Sequence, residues 1–393
     1  MHVRLAATIA LLTVALAGCR MIPAGPVEPT PPAPVATNAL TAGLKPGPSV
    51  ASLGLRPADA LAALSSFRES CPKLLARADA SGLTSGSQWE PACTAARGWG
   101  EGDANAFFER YFETAKVGEG TAFATGYYEP DIAGSRTRLP GYDVPVYAMP
   151  ADLVRGWPDD IPQSERTGRA PLGRYDASGK FVPYYNRAEI DAGALAGRGL
   201  EIAWAHDPVE LFFLQIQGSG RLVAPDGSVM RIGYAGQNGR EYVGIGAVMK
   251  ERGLIGPGTA YPTSMQGIMA WLRDHPEEGR AIMEMNQSWV FFRELKGDGP
   301  LGALEVPVRR ESSVAADPAY VPLGAPVWLD VDRAEADGLW IAQDTGGAIK
   351  GANRFDTFWG AGPDARAIAG GMSARGTALV LLPKGTVERL TGK

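Results

Sequence analysis

The chain has 393 residues, 45% of them hydrophobic, with 38 Lys and Arg against 43 Asp and Glu and a formal net charge of −5. That apolar content suffices for ordinary cores and excludes a disordered chain, while the length allows two domains. The slight acidity and the lack of any Lys/Arg-rich run exclude nucleic acid as a partner, because that binding draws most of its affinity from neutralised phosphates.

The first nineteen residues, MHVRLAATIALLTVALAGC, join a basic start (His2, Arg4) to an apolar run that is short for a bilayer span, then place Leu16-Ala17-Gly18 before Cys19. This predicts a lipoprotein signal peptide over 1–19, with Cys19 as the acylated residue; a short transmembrane anchor is the alternative. Arg20, where an inner-membrane retention signal shows Asp, favours an outer-membrane lipoprotein facing the periplasm of a Gram-negative cell. Residues 20–52 read as a tether: PAGPVEPTPPAP (23–34) is half proline and favours extended polyproline II, about 35 Å long over that stretch. Cys71 and Cys93 are the two remaining cysteines, and in an oxidising compartment such a pair is expected to bond.

Helices are predicted at Pro57-Ala58-Asp59 leading LAALSSF, over ANAFFERYFETA behind Asp103, at MQGIMAWLRD behind Ser264, and after Pro276. Short strands are predicted from YDVPVYAM, GLEIAWA, ELFFLQIQ, APVWLDV, LWIAQD and TALVLL, with Tyr234–Gly239 a turn and NQS a polar turn into WVFF. The class is therefore mainly β with peripheral helices.

Outside the leader only His206 and His275 remain, neither spaced with a second histidine or cysteine, so no metal site and no Ser/His/Asp triad is expected. Nucleotide-binding glycine motifs are absent too, and no cofactor is expected. What remains is carboxylates, amides and aromatics, the residue types that protonate glycosidic oxygens and hold sugars. Asp317, Asp344 and Asp356 fall among the C-terminal strand-like runs, and DTGGAIKGANRFD sets the last two at either end of a glycine-rich bend that could bring them together. Aspartates that only bond turn amides are the plainer reading of such a loop. A second group lies earlier: TGYYEP (Thr125 to Pro130), and FFLQIQGSGRL, where alternation puts Gln215 and Gln217 on one strand face before Gly218 and Ser219. An ordinary solvated strand face would look the same.

GYYEP, NRAEIDAGAL, FFLQIQGSGRL, YAGQNGREY, NQSWVFF and DTGGAIKG followed by RFD, in that order, resemble the membrane-bound lytic transglycosylase A (MltA) family with its C-terminal three-aspartate (3D) domain. The resemblance implies a double-psi β-barrel domain (53–124 plus 243–393, the 3D part about 300–385) interrupted by a smaller inserted β-barrel domain (125–242), with glycan in the groove between them. It implies Asp356 as the catalytic acid/base, with Asp344 and, more weakly, Asp317 supporting. Thr125, Tyr127, Tyr128, Gln215, Gln217, Gly218 and Ser219 would hold flanking sugars, and Lys350 would meet a lactyl or peptide carboxylate. Glu129 stands where relatives carry a neutral residue and receives no role, and GANRFD is one residue longer than GQHFD of some relatives.

The implied reaction cleaves the β-1,4 bond between N-acetylmuramic acid and N-acetylglucosamine in peptidoglycan and closes a 1,6-anhydro ring, without water. The implied partners are glycan strands, outer-membrane lipid through Cys19, and cell-wall synthesis proteins. Three rivals stand beside it: a hydrolytic muramidase using both Asp344 and Asp356, a non-catalytic murein-binding lipoprotein, and a metal-dependent reading of the three aspartates.

Overall fold

The structure is a computed structural model that describes residues 36–392; the leader, Cys19 and the tether up to residue 35 lie outside the described residues, whereas residues 36–52, read from sequence as the end of the tether, include a short helix and a strand that joins the larger sheet. Strands β1 (Leu44–Pro46), β2 (Phe112–Val117), β3 (Thr121–Glu129), β4 (Asp131–Ser135) and β5 (Val144–Tyr147) come first. The middle of the chain supplies β6 (Val154–Arg155), β7 (Leu172–Tyr175), β8 (Phe181–Pro183), β9 (Glu201–Ala205), β10 (Ser219–Val223), β11 (Val229–Gln237) and β12 (Val290–Glu294). The last third adds β13 (Ser313–Ala316), β14 (Pro326–Val331), β15 (Gly338–Asp344), β16 (Arg354–Ala361) and β17 (Ser373–Pro383). They form an eight-stranded sheet, β1-β2-β17-β14-β15-β13-β16-β3, a six-stranded sheet, β12-β11-β10-β4-β9-β5, and a three-stranded sheet, β6-β7-β8. With its helices, the molecule is a mixed α/β fold rather than the mainly β one read from sequence.

Strand β17 is the hinge of the larger sheet. Its first residues, Ser373–Thr377, pair with β3, the next with β14, and Val380–Pro383 with β2. Because β3 also pairs with β16, the path β17-β14-β15-β13-β16-β3 returns to β17 and closes a ring of six strands. A closed ring leaves no free edge along those strands. Ala122, Ala124, Val314, Ala316, Phe355, Ala374 and Ala378 from the ring all enter the main core. By the two-residue period of a strand, Phe123, Thr125, Arg354, Asp356, Ser373 and Arg375 face the other way.

The helix Pro57–Ala76 starts with proline at its first position, as expected, and packs on the helix Gly86–Gly98. Cys71 and Cys93 form a disulfide between the two. Phe67, Trp89, Phe107 and Phe112 pack edge-on or tilted beside it, with ring centroids 5.5 to 6.3 Å apart, and each fully buried ring contributes about 1.5–3 kcal/mol. The helix expected across ANAFFERYFETA is shorter: it ends at Tyr111, and Phe112–Val117 becomes β2. There the ladder with β17 overrides helical propensity.

FFLQIQ is the larger correction, since Pro208–Gln217 is a helix and not a strand. Asp207 caps it by accepting from the Val209 and Glu210 amides, Pro208 opens it, and Gly218 closes it at φ 80°. The helix is buried on most sides, through Val209, Leu211, Phe212, Phe213, Leu214 and Gln215, so its apolar run carries no helical period to read. Tyr234–Gln237, expected in a turn, extends β11 past a bulge between Tyr234 and Gly236.

Candidate active site

One row of paired residues crosses five strands of the ring. Ala315 on β13 stands opposite Asp344 of β15 on one side and opposite Asp356 of β16 on the other. Asp356 in turn pairs with Thr125 of β3, and Thr125 with Ser373 of β17. The two acids are thus two strand spacings apart, about 10 Å between Cα atoms, with only a methyl group between them. A bulge in β15 makes this possible: the register slips after Val314–Ala342, so that Asp344 rather than Gln343 faces Ala315. Gln343 turns into the core instead, where it bonds the Ser66 carbonyl and the Ser70 hydroxyl.

The two carboxyls are held differently. Asp344 accepts from the Ala303 and Thr345 amides at 2.8 Å each and from the Tyr127 hydroxyl at 3.0 Å, which occupies both its oxygens. Asp356 accepts only from Thr125 Oγ1, at 2.6 Å on Oδ1, and its Oδ2 takes no protein partner among the described residues. The Thr125 oxygen accepts from Arg354 Nη2 at 2.9 Å, so a donor chain runs from guanidinium to hydroxyl to carboxylate. Tyr127, Val308, Ala315, Ile349 and Phe358 form an apolar patch on this face, and Tyr127 packs on Phe358 with centroids 4.9 Å apart.

Burial pushes the Asp356 carboxyl up from 3.8 to about 6; the Thr125 bond and the Arg354 charge pull the other way, and the Asp344 charge adds to the rise. Burial likewise raises Asp344 to about 6 against its three donors. Tyr127 is raised well above its ordinary value by burial and by both acids, so its phenol stays a donor. Both aspartates remain half-buried, open on one side.

The other expected residues scatter. Asp317 accepts from the Ala319 and Gly351 amides, at 3.1 and 2.8 Å, and so pins the glycine-rich bend without joining the row of acids. Lys350 is exposed on that bend. Gln217 accepts from the Tyr128 amide at 3.0 Å, while the Tyr128 ring lies in the main core and offers no face. Gln215 is buried, its Nε2 reaching the Val290 carbonyl and its Oε1 left without a partner among the described residues. Gly218 caps the helix and buried Ser219 opens β10. Glu129 is buried against Arg231, its Oε1 2.8 Å from Nε.

Three contributors escaped sequence reasoning: Ala315, Arg354 and Tyr242. Arg354 sits two residues before Asp356, hence on the same strand face, and that spacing was a usable signal. Tyr242 packs over Gly347, where an added Cβ would stand 3.6 Å from its own. Burial raises its phenol, and the Asp356 charge adds to the rise. Nothing local marked Ala315.

Residues 123–293 match the family model described as the MltA specific insert domain, and 312–382 match the 3D domain. A crystal structure of MltA from Neisseria gonorrhoeae shares 37% identity over 87% of this chain and 92% of its own, with a TM-score of 0.69. The chain belongs to the MltA family. Membrane-bound lytic murein transglycosylase A of Escherichia coli K12 is 34% identical over 268 residues, 65% of this chain and 64% of that protein's length. A crystal structure of E. coli MltA with bound chitohexaose is 27% identical, covers 83% of this chain and 90% of its own, and has a TM-score of 0.60. The row of paired residues draws on both matched regions of the MltA family: Thr125 and Tyr127 from the insert match, Ala315, Asp344 and Asp356 from the 3D match.

Proposed function

We propose that this protein is a lytic transglycosylase that cleaves the β-1,4 MurNAc–GlcNAc bond of peptidoglycan and leaves 1,6-anhydroMurNAc. The observation that carries the reading is the asymmetry of the two acids: Asp344 is saturated by three donors, and Asp356 keeps one oxygen free on an open face with its carboxyl raised to about 6. Asp356 begins protonated and donates to the glycosidic oxygen as that bond breaks. The carboxylate so formed takes the proton of the C6 hydroxyl on the same muramic ring, whose oxygen closes onto C1. Intramolecular attack makes a second catalytic carboxylate unnecessary. Asp344, fixed by Tyr127, supports by keeping the Asp356 proton on at near-neutral pH, and Thr125 with Arg354 steadies the carboxylate after transfer. Asp317 supports from further away, by shaping the bend that joins the two strands.

The name of the E. coli relative and the chitohexaose held by E. coli MltA support glycan as the ligand. Thr125, Tyr127, Gln217, Gly218 and Ser219 remain the sugar-side candidates, with Gln215 and Tyr128 acting behind them through backbone contacts. In this reading the closed ring is the double-psi barrel, built from 53–124 and 243–393 with the end of β3, residues 125–129, running on into the insert. The smaller barrel is the insert over 125–242 with β12 added to its sheet, and glycan lies along the face between. The leader and Cys19 make the chain an outer-membrane lipoprotein facing the periplasm, which the disulfide supports because such bonds persist in oxidising compartments. Among the described residues no helix is long and apolar enough to cross a membrane.

A hydrolytic muramidase is the second reading, favoured by two carboxyls, both raised to about 6 by burial, in one row of the sheet. Mass spectrometry of digested murein decides: anhydro ends are lighter by one water than reducing ends. Reducing ends alone would replace the transglycosylase reading with the hydrolase.

A further inference from the structure

One step along the strands from the Asp356 row lies a second row on the same face. Phe123 of β3 pairs with Arg354 of β16 and with Arg375 of β17. Both guanidinium carbons stand 4.8 Å from the centre of the Phe123 ring, one from each side strand. Among the described residues neither arginine makes an ion pair. Arg354 spends its donors on the Phe355 carbonyl and on Thr125, while the Arg375 side chain has no hydrogen-bond partner among the described residues. Asp332, the nearest acid along the chain pairing, is taken by the Arg375 backbone amide at 2.8 Å.

Two like charges gathered on one aromatic ring repel, and the ring's face offsets that only in part. An anion laid across the pair would relieve the repulsion and meet the planar donors that suit a carboxylate. Successive residues on one strand face are about 7 Å apart, which sets this row about one sugar ring from the acid. On a muramic ring whose C1 oxygen faces Asp356, the 3-O-lactyl group projects from the far side of the ring.

We propose that Arg375 and Arg354, stacked on Phe123, form a carboxylate subsite that recognises the 3-lactyl substituent of the muramic residue being cut, and so give the enzyme its preference for muramic over plain glucosamine units. This deepens the proposed function and rests on it. The shared chemistry is a carboxylate on that substituent: the free lactyl acid of denuded strands, or an acid of the stem peptide where one is attached. Lys350, expected from sequence to do this work, sits on the exposed bend instead.

The test measures binding by calorimetry in the Asp356→Asn background, so that glycan stays uncut. The probes are denuded muramyl oligosaccharide, the same chain carrying stem peptides, and chitohexaose, which has no carboxylate. Arg375→Gln should weaken at least one muramyl probe about tenfold and leave chitohexaose unchanged, with Arg375→Lys recovering part of the loss. The muramyl probe that weakens identifies the source of the acid. Loss on neither, or equal loss on all three, overturns the subsite while leaving the transglycosylase reading intact. Failure of the Asp356→Asn protein itself to bind any of the three glycans overturns both. Arg375 is exposed and, among the described residues, its side chain makes no hydrogen bond or ion pair, only the contact with the Phe123 ring, so a melting temperature close to that of the parent is expected of its variants.

Discussion

Asp356→Asn should stabilise the fold, and by an amount that depends on pH. The Asp356 carboxyl is raised from 3.8 to about 6 in the folded protein. Below about pH 4 the group is protonated folded and unfolded alike, and the charge costs nothing. Between about pH 4 and 6 the unfolded chain ionises first, so stability falls as pH rises; above 6 both states are ionised and the loss is complete. At 1.36 kcal/mol per pH unit, the shift corresponds to at most about 3 kcal/mol, less whatever solvent screens on the open side. Asparagine keeps an oxygen for the Thr125 hydroxyl and carries no charge, so the variant escapes this loss. Urea unfolding of both proteins from pH 4 to pH 8 reads the effect directly: the curves should coincide at the acid end and separate by about 2–3 kcal/mol at the other. Asp344 contributes the same trend to both proteins and drops out of the difference, apart from its coupling to Asp356. Parallel curves across the range would show that Asp356 is not desolvated, and the argument for its acid role would fail with them.

Thr125→Val and Tyr127→Phe should move the alkaline limit of activity in opposite directions. The first removes a donor from Asp356 and raises its pKa, extending activity upward; the second favours neutral Asp344 and lowers it, and a pH profile of kcat/KM with both limits unmoved would exclude this coupling. Gly126→Ala should cost about 1–3 kcal/mol, since its Cβ would meet Ala369 Cα and Trp359 Nε1 at 2.9 Å, and the denaturation midpoint should fall with its slope unchanged. Replacing Cys71 and Cys93 with serine, 22 residues apart in sequence, should cost about 3 kcal/mol in the same assay.

The cysteine pair, the opening of the helix at Pro57 and strands such as GLEIAWA and APVWLDV were legible because their signals are local: compartment, caps and turn residues, and β-branched runs. FFLQIQ was misread for a physical reason. A helix buried on most sides and a strand buried on both present the same unbroken apolar run, and only the Asp207-Pro208 start and the Gly218 end set them apart. Tyr128 was misplaced because two adjacent strand tyrosines must face opposite ways, and sequence does not say which of the two faces the core.

Sequence alone determined which acids were available, the glycine-rich bend between them and, through ordered motifs, the family. It did not determine that Asp344 and Asp356 share a row, because that depends on a one-residue bulge in β15 and on β13 lying between two strands distant in sequence. Register is a property of strand pairs, and the energy that fixes it comes from partners far along the chain, so only the tertiary structure decided which carboxyl stayed open and which was tied down.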